Sequence, residues 1–217
     1  MELLIVLLVT SILASMMMPA MTKVRENVHR VVCSSNLRQI GIAISMYADD
    51  HKDRLPASSK LTNIHGVWEP QELMGAFHHG AWDGLGLLYQ NEYCPTPSCF
   101  YCPSHRGEHP FQRYSMQWER PDGSSTIYTN FHYAGHRDWI TGRIRPYANL
   151  DRMVLATDGL RTASDFNHRV GLNTLRGDGA VRWRDDGFSI MVLLPDGQTG
   201  SADPEKYKSI WDELEKN

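Results

Sequence analysis

Met1-Glu2-Leu3-Leu4-Ile5-Val6-Leu7-Leu8-Val9 begins a run that continues through Pro19 to about Asp50 and holds no glycine before Gly41. Nothing between residues 3 and 21 is charged, and nearly every side chain there is Leu, Ile, Val, Met or Ala. About twenty apolar residues suffice to cross a bilayer core as a helix. The pattern then turns amphipathic: Val28, Cys33, Leu37, Ile40, Ile44 and Tyr47 recur at three-, four- and five-residue steps, with Arg25, Glu26, Arg30, Arg38 and Asp49 mostly off that stripe. Such a stripe is the core-facing side of one helix. The halves together predict one rod of roughly 75 Å at 1.5 Å per residue, greasy at one end and built into a globular head at the other.

A secretory signal peptide would show basic residues ahead of a shorter apolar run and a small-residue cleavage site. Here no Lys or Arg precedes the run, and the helical pattern continues past it. A plain membrane anchor is the stronger rival, but Glu2 sits at the edge of the apolar run, where an ionisable group is costly. Pro19 falls inside the helix, where it removes a hydrogen bond and kinks or locally melts the rod. Glu2-Leu3-Leu4-Ile5-Val6, Ile12-Leu13-Ala14-Ser15 and Met18-Pro19-Ala20 resemble the N-terminal segment of type IV pilin-like proteins and type II secretion pseudopilins. The resemblance implies a filament subunit in which Glu2 neutralises a neighbour's N-terminal amine and Pro19 permits local melting. In that family a basic leader ending in Gly precedes an aromatic residue and the Glu. The present sequence has Met1 there, so the family's cleavage maps onto no residue of it. By the positive-inside rule Lys23, Arg25 and Arg30 would draw the head toward the cytoplasm; the resemblance favours a head outside.

With 217 residues the chain suits one domain and its stalk. The expected division is 1–22 for the apolar helix segment, 23–52 for its amphipathic continuation and 53–217 for an extracytoplasmic α+β head. A net charge of -3 and the lack of a basic cluster argue against nucleic acid as a partner. The turn-prone Asp53-Arg54-Leu55-Pro56 ends the helix, because the residue before proline avoids helical backbone. Asn36-Leu37-Arg38-Gln39-Ile40-Gly41, Leu85-Gly86-Leu87-Leu88-Tyr89 and Phe100-Tyr101-Cys102-Pro103-Ser104 resemble a large pseudopilin-like group, prepilin-type and processing-associated, that carries an H-x9-DG motif. Residues 57–82 read as a polar irregular loop holding His65, Trp68, His78 and His79.

The four cysteines allow two readings. Cys94, Cys99, Cys102 and His105 offer four zinc ligands with one CxxC and one CxxH step. An extracytoplasmic head sits where thiols pair. On that ground the expected disulfides are Cys33–Cys102 and Cys94–Cys99, since Cys33 lies on the core-facing stripe and Cys102 occupies the family-like Cys-Pro-Ser.

Beyond residue 112 the pattern predicts strands: 126–133, 153–157, 171–176, 180–183 and 188–194. Gly177-Asp178-Gly179 is a hairpin signal, as Gly and Asp tolerate positive φ. Asp203-Pro204-Glu205 starts a C-terminal helix through Tyr207, Ile210, Trp211 and Leu214. His168 precedes Asp178-Gly179 by nine intervening residues, which is the H-x9-DG spacing of the group named above. On a structural reading Asp178 bonds turn amides and His168 bonds across the hairpin. On a chemical reading His168 with Asp158, Asp165 and Asp178 forms an acid/base or metal constellation. Some pseudopilins carry calcium beside the sheet, which makes Asp158, Asp165 and Asp178 the candidate ligands here; no other cofactor is expected.

The function expected is a pilin-like structural subunit rather than an enzyme. It would be inserted once in a bacterial inner membrane, head in the periplasm or cell exterior, with like subunits, other pseudopilins and secretion or pilus assembly machinery as partners. The alternatives are a membrane-tethered enzyme or ligand-binding head using His168, and an anchored domain that never polymerises.

Overall fold

One helix, α1 (Glu2–Asp50), carries the whole N-terminal stretch and is continuous through residue 19. The computed structural model describes residues 2–59, 73–135, 146–162, 166–168, 170–185, 187–194 and 204–215. The two halves of α1 meet different surroundings. In the first, large apolar side chains lie in the open, from 75% exposed at Leu3 to 46% at Ile12. In the second, Cys33, Leu37, Ile40 and Ile44 are fully buried and Tyr47 nearly so. Val28, expected on the buried stripe, is 54% exposed, so the apolar packing of the head on the helix begins only about one turn further on, at Cys33. Among the described residues no helix is long and apolar enough to cross a membrane, and the membrane reading of residues 1–22 rests on the sequence alone.

The helix ends as its composition predicts. Lys52 and Asp53 take left-handed φ values of 59° and 61°, and the Asp53 N–H donates to the Ala48 carbonyl over 2.8 Å. That closes the last orphan carbonyls before Leu55-Pro56 leads the chain away.

The head is α+β with two antiparallel sheets. A three-stranded sheet has the order β2 (Ala81–Trp82), β1 (Gly75–His78), β3 (Ile127–Tyr128). A four-stranded sheet has the order β4 (Phe131–Tyr133), β5 (Val154–Asp158), β6 (Leu172–Arg176), β7 (Val181–Arg184). Between β2 and β3 come α2 (Gly86–Gln90), a 3-10 turn at Pro97–Phe100 and α3 (Phe111–Glu119), and between β4 and β5 a second 3-10 turn at Tyr147–Asn149. The C-terminal helices α4 (Gly187–Leu193) and α5 (Pro204–Glu215) follow.

Every residue of β5 and β6 is buried, because helices cover both faces of these central strands. On one face α1 packs with Leu155, Ala156, Leu175, Phe100, Trp118 and Tyr133. On the other, Val154 and Leu172 meet Ile190 of α4 and Ile210, Trp211 and Leu214 of α5. Gly41 marks the closest approach of α1 to β6: a methyl group there would come 2.8 Å from Leu175 Cδ1.

Three local expectations are corrected. The stretch 188–194 is not a strand but falls in α4 and the residue after it: Ile190 and Leu194 are buried while Val192 is 60% exposed, a four-residue period that a short apolar run does not separate from a strand. The stretch 126–133 is not one strand but β3 and β4, divided between the two sheets, with the Thr129 N–H donating to Met74 O at the switch. Residues 75–82, read as loop, form the β1–β2 hairpin, whose turn holds His79 at φ 52°. The helix α3 was not expected; Tyr114 and Trp118 anchor it four residues apart. His65, Trp68 and Asp203 lie outside the described residues.

Candidate metal-binding cluster at the stalk–head junction

Four segments distant in sequence deliver one cluster. Cys33 comes from the first buried turns of α1, Cys102 from the chain after the 3-10 turn, Asp158 from the end of β5, and His168 from the loop before β6. The ligating atoms of these four residues all lie within 4.8 Å of one another. All four are buried: Cys33 is 0%, Asp158 1%, Cys102 3% and His168 3% exposed.

Each group is held from behind. The Cys33 thiol donates to Asp158 Oδ2 over 3.0 Å, and His168 Nε2 lies 3.2 Å from the same oxygen. His168 Nε2 is also 3.4 Å from Cys102 Sγ. Asn173 donates its backbone N–H to Asp158 Oδ1 (3.0 Å) and its side-chain amide to Oδ2 (2.8 Å). Asn130 accepts the Cys102 N–H over 2.5 Å. His168 Nδ1 donates to Glu26 Oε1 on α1 over 2.6 Å, and the Ser104 hydroxyl, 3.0 Å from both oxygens of that carboxylate, donates to it as well. The Trp183 ring stands edge-on to His168 at 5.5 Å, and the Arg30 guanidinium covers Trp183 at 3.3 Å from its centroid. Glu26 and Arg30, off the apolar stripe in the sequence, are thereby among the stalk's polar contacts with the head.

The electrostatics follow from the geometry. A carboxylate only accepts, so Nδ1 carries the proton it donates to Glu26. Nε2 in turn faces a buried carboxylate and a sulfur, and a bare lone pair there would oppose them. Burial works against charging the ring, but the contacts with Asp158 and Cys102 outweigh it and raise His168 to about 11. For Cys102, burial disfavours the thiolate, yet the Cys33 and His168 contacts leave its pKa lowered. Burial, first, and then Cys102 and Asp158 push Cys33 well up. The cluster thus draws positive charge to its centre.

The expected disulfides are corrected: all four cysteines are free buried thiols. The expected partners do lie side by side, yet Cys33 is turned to the Asp158 carboxylate and Cys102 to His168. Cys94 and Cys99 are hydrogen-bonded to each other as thiols, a contact that lowers the pKa of Cys94 and raises that of Cys99. The expected zinc set of Cys94, Cys99, Cys102 and His105 is split. Cys99 Sγ points to Asn36 O (3.6 Å) and Gln39 Oε1 (3.8 Å) under α1, and His105 Nδ1 pairs with Asn167 Oδ1 at 2.7 Å.

The calcium set is likewise not assembled. Asp178 is exposed at the β6–β7 turn, its Oδ1 accepting the Ala180 N–H over 2.9 Å, as the structural reading of that turn had it. Asp158 is bound at the opposite end of β6, beside Asn173; five residues of strand put them about 16 Å apart. Asp165 lies outside the described residues. Gly179, the last member of the motif, takes φ +77° in the turn. His168 reaches past the hairpin to α1, rather than bonding across it. Of Glu2 and Pro19 only the helical backbone is described.

Sequence reading picked out Cys33, Cys102, Asp158 and His168 separately, under two different hypotheses. Glu26 and Asn173 were missed; no spacing rule links a surface glutamate on a stalk to a histidine 142 residues away.

Among known proteins, a family model described as a protein of unknown function (DUF1559) matches residues 22–85. That family is commonly associated with pilin-like, prepilin-type proteins. No curated protein and no solved structure matches the chain. The match spans the amphipathic half of α1 and the chain that follows to Leu85, and it is consistent with a pilin-like surface protein.

Proposed function

We propose that the protein is a pilin-like, pseudopilin-type structural subunit. Inserted in a bacterial inner membrane with its head in the periplasm or outside, it assembles into a type II secretion pseudopilus or a related filament. The observation that carries this reading is the division of α1: the described large apolar side chains from Leu3 to Met21 lie exposed, while residues from Cys33 onward build the core. A contiguous exposed apolar surface of that size requires a partner, either lipid or like helices. The family match over residues 22–85 supports the same reading. Like subunits or other pseudopilins would pack through the apolar half, and the assembly machinery would draw them from the bilayer. Glu2, by the pilin-like resemblance, would pair with a neighbour's amine, a buried ion pair able to fix register.

In this reading the head performs no turnover and takes no nucleic acid. His168, 3% exposed, serves to dock the stalk.

The test is site-directed cross-linking in the host with Leu8→Cys or Ile12→Cys, each added singly to a chain that keeps its four buried cysteines, and with the unaltered chain as control. A ladder of cross-linked species in the membrane or sheared-surface fraction is expected. A monomer with no ladder in either fraction would overturn the reading.

A further inference from the structure

We infer that Cys33, Cys102, Asp158 and His168 form a structural zinc site that pins the stalk helix to the head. Zinc prefers four-coordinate sites of thiolate, imidazole and carboxylate, with bonds of about 2.3 Å to sulfur and about 2.0–2.1 Å to nitrogen and oxygen. Tetrahedral geometry on those bonds places neighbouring ligand atoms about 3.3–3.8 Å apart. The cluster is already near that spacing: 3.0 Å from Cys33 Sγ to Asp158 Oδ2, 3.2 Å from Asp158 Oδ2 to His168 Nε2, and 3.4 Å from His168 Nε2 to Cys102 Sγ. Each of these three pairs would open by a few tenths of an ångström around the ion, and the ligating atoms of all four residues already lie within 4.8 Å of one another. A disulfide, with sulfurs about 2.05 Å apart, would use two of the four groups and leave the buried Asp158–His168 pair as it is.

The outer shell fits as well. A ligating histidine commonly donates its other N–H to a carboxylate, which orients the ring and raises its basicity; Glu26 stands in that place, 2.6 Å from Nδ1. Asn173 holds both carboxylate oxygens of Asp158. A cavity of about 410 Å³, lined among others by Arg25, Glu26, His29 and Ser104, borders the cluster at His168. The two thiolates select zinc over calcium or magnesium, which take oxygen ligands.

On binding, each thiol and the Nε2 of the His168 imidazolium release a proton to solvent, three protons in all, while Nδ1 keeps the proton it donates to Glu26. Zn²⁺ then offsets two thiolates and one carboxylate, leaving one net negative charge on the four-ligand site. No electron is transferred. The inference does not depend on filament assembly.

The experiment uses the full chain, extracted in detergent and kept reduced, with zinc chloride as the probe. One zinc per chain is expected after gel filtration, and zinc X-ray absorption should show two sulfur neighbours. Cys33→Ser with Cys102→Ser should abolish retention, and Glu26→Gln should weaken it about tenfold. Cys94→Ser with Cys99→Ser should leave it unchanged. The wild-type sulfur count stands even if a variant fails to fold. No zinc retained, a sulfur count other than two, or zinc lost on changing Cys94 and Cys99 but kept without Cys33 and Cys102 would overturn the inference. So would a Cys33–Cys102 disulfide in native protein alkylated at lysis.

Discussion

His168 Nδ1 stands 2.6 Å from Glu26 Oε1, so one hydrogen bond joins the stalk helix to a loop 142 residues further along the chain. Behind it, Nε2 meets Asp158, and both residues are only 1% exposed at their side chains. The stalk is therefore fixed to the head by apolar packing and by this charged contact together.

Removing the imidazole should be costly, because it leaves the Asp158 carboxylate buried and unpaired. We expect His168→Ala to lose about 3–5 kcal/mol. Glu26→Gln, at a side chain 37% exposed, should lose only about 1 kcal/mol, a single hydrogen bond. Urea denaturation of both variants with chelator present checks the ranking.

Deleting residues 2–24 should leave the head folded, since the core takes nothing from α1 ahead of Cys33. The melting temperature should move by no more than a few degrees, and the apolar association should vanish. Deletion through residue 40 removes Cys33, Leu37 and Ile40, all fully buried, and should abolish cooperative melting. Circular dichroism and gel filtration read both outcomes.

Acid should destabilise the head through two buried histidines. Burial, and then the Arg161 charge, lowers His109 from 6.5 to about 3. Burial, followed by His105 and Arg161, does the same to His132. Both must stay neutral in the fold. The stability this provides is fully present above pH 6.5 and is lost as pH falls from there toward 3. Each group should contribute a slope of about 1.4 kcal/mol per pH unit within that window. Urea midpoints from pH 7 to pH 4 measure it, and His132→Gln should flatten the curve.

The two glycines flanking Asp178 should differ. A methyl at Gly177 would run into the Leu150 carbonyl and side chain, backbone that cannot swing away, so Gly177→Ala should lose about 1–3 kcal/mol or more by overpacking. A methyl at Gly179 meets nothing within 4 Å, and only its φ of +77° opposes it. Gly179→Ala should lose about 1–2 kcal/mol. Thermal melts of the pair separate steric from conformational cost.

Trp118 is the anchor of α3, stacked on Phe100 at 5.1 Å and donating from Nε1 to the Tyr101 hydroxyl over 3.0 Å. Trp118→Ala should lose about 3–5 kcal/mol, visible in urea denaturation followed by near-ultraviolet circular dichroism.

The sequence by itself determined the long helix, its division into an apolar and an amphipathic half, the end at Asp53 to Pro56, the central strands and the turn at Gly177 to Gly179. These are local properties: hydrophobic period, residues tolerating positive φ, and proline's effect on its neighbour act within a few positions. It also marked Cys33, Cys102, Asp158 and His168 as chemical residues. Only the tertiary structure decided what they do, because the contacts that bring Cys33, Cys102 and Glu26 to Asp158 and His168 join residues 66 to 142 apart and no spacing encodes them. The same holds for residues 188–194, whose short apolar run suits either a strand or a helix until the face of β5 and β6 it covers is known. It holds too for Cys94 and Cys99, expected as a bonded pair and found as neighbouring free thiols.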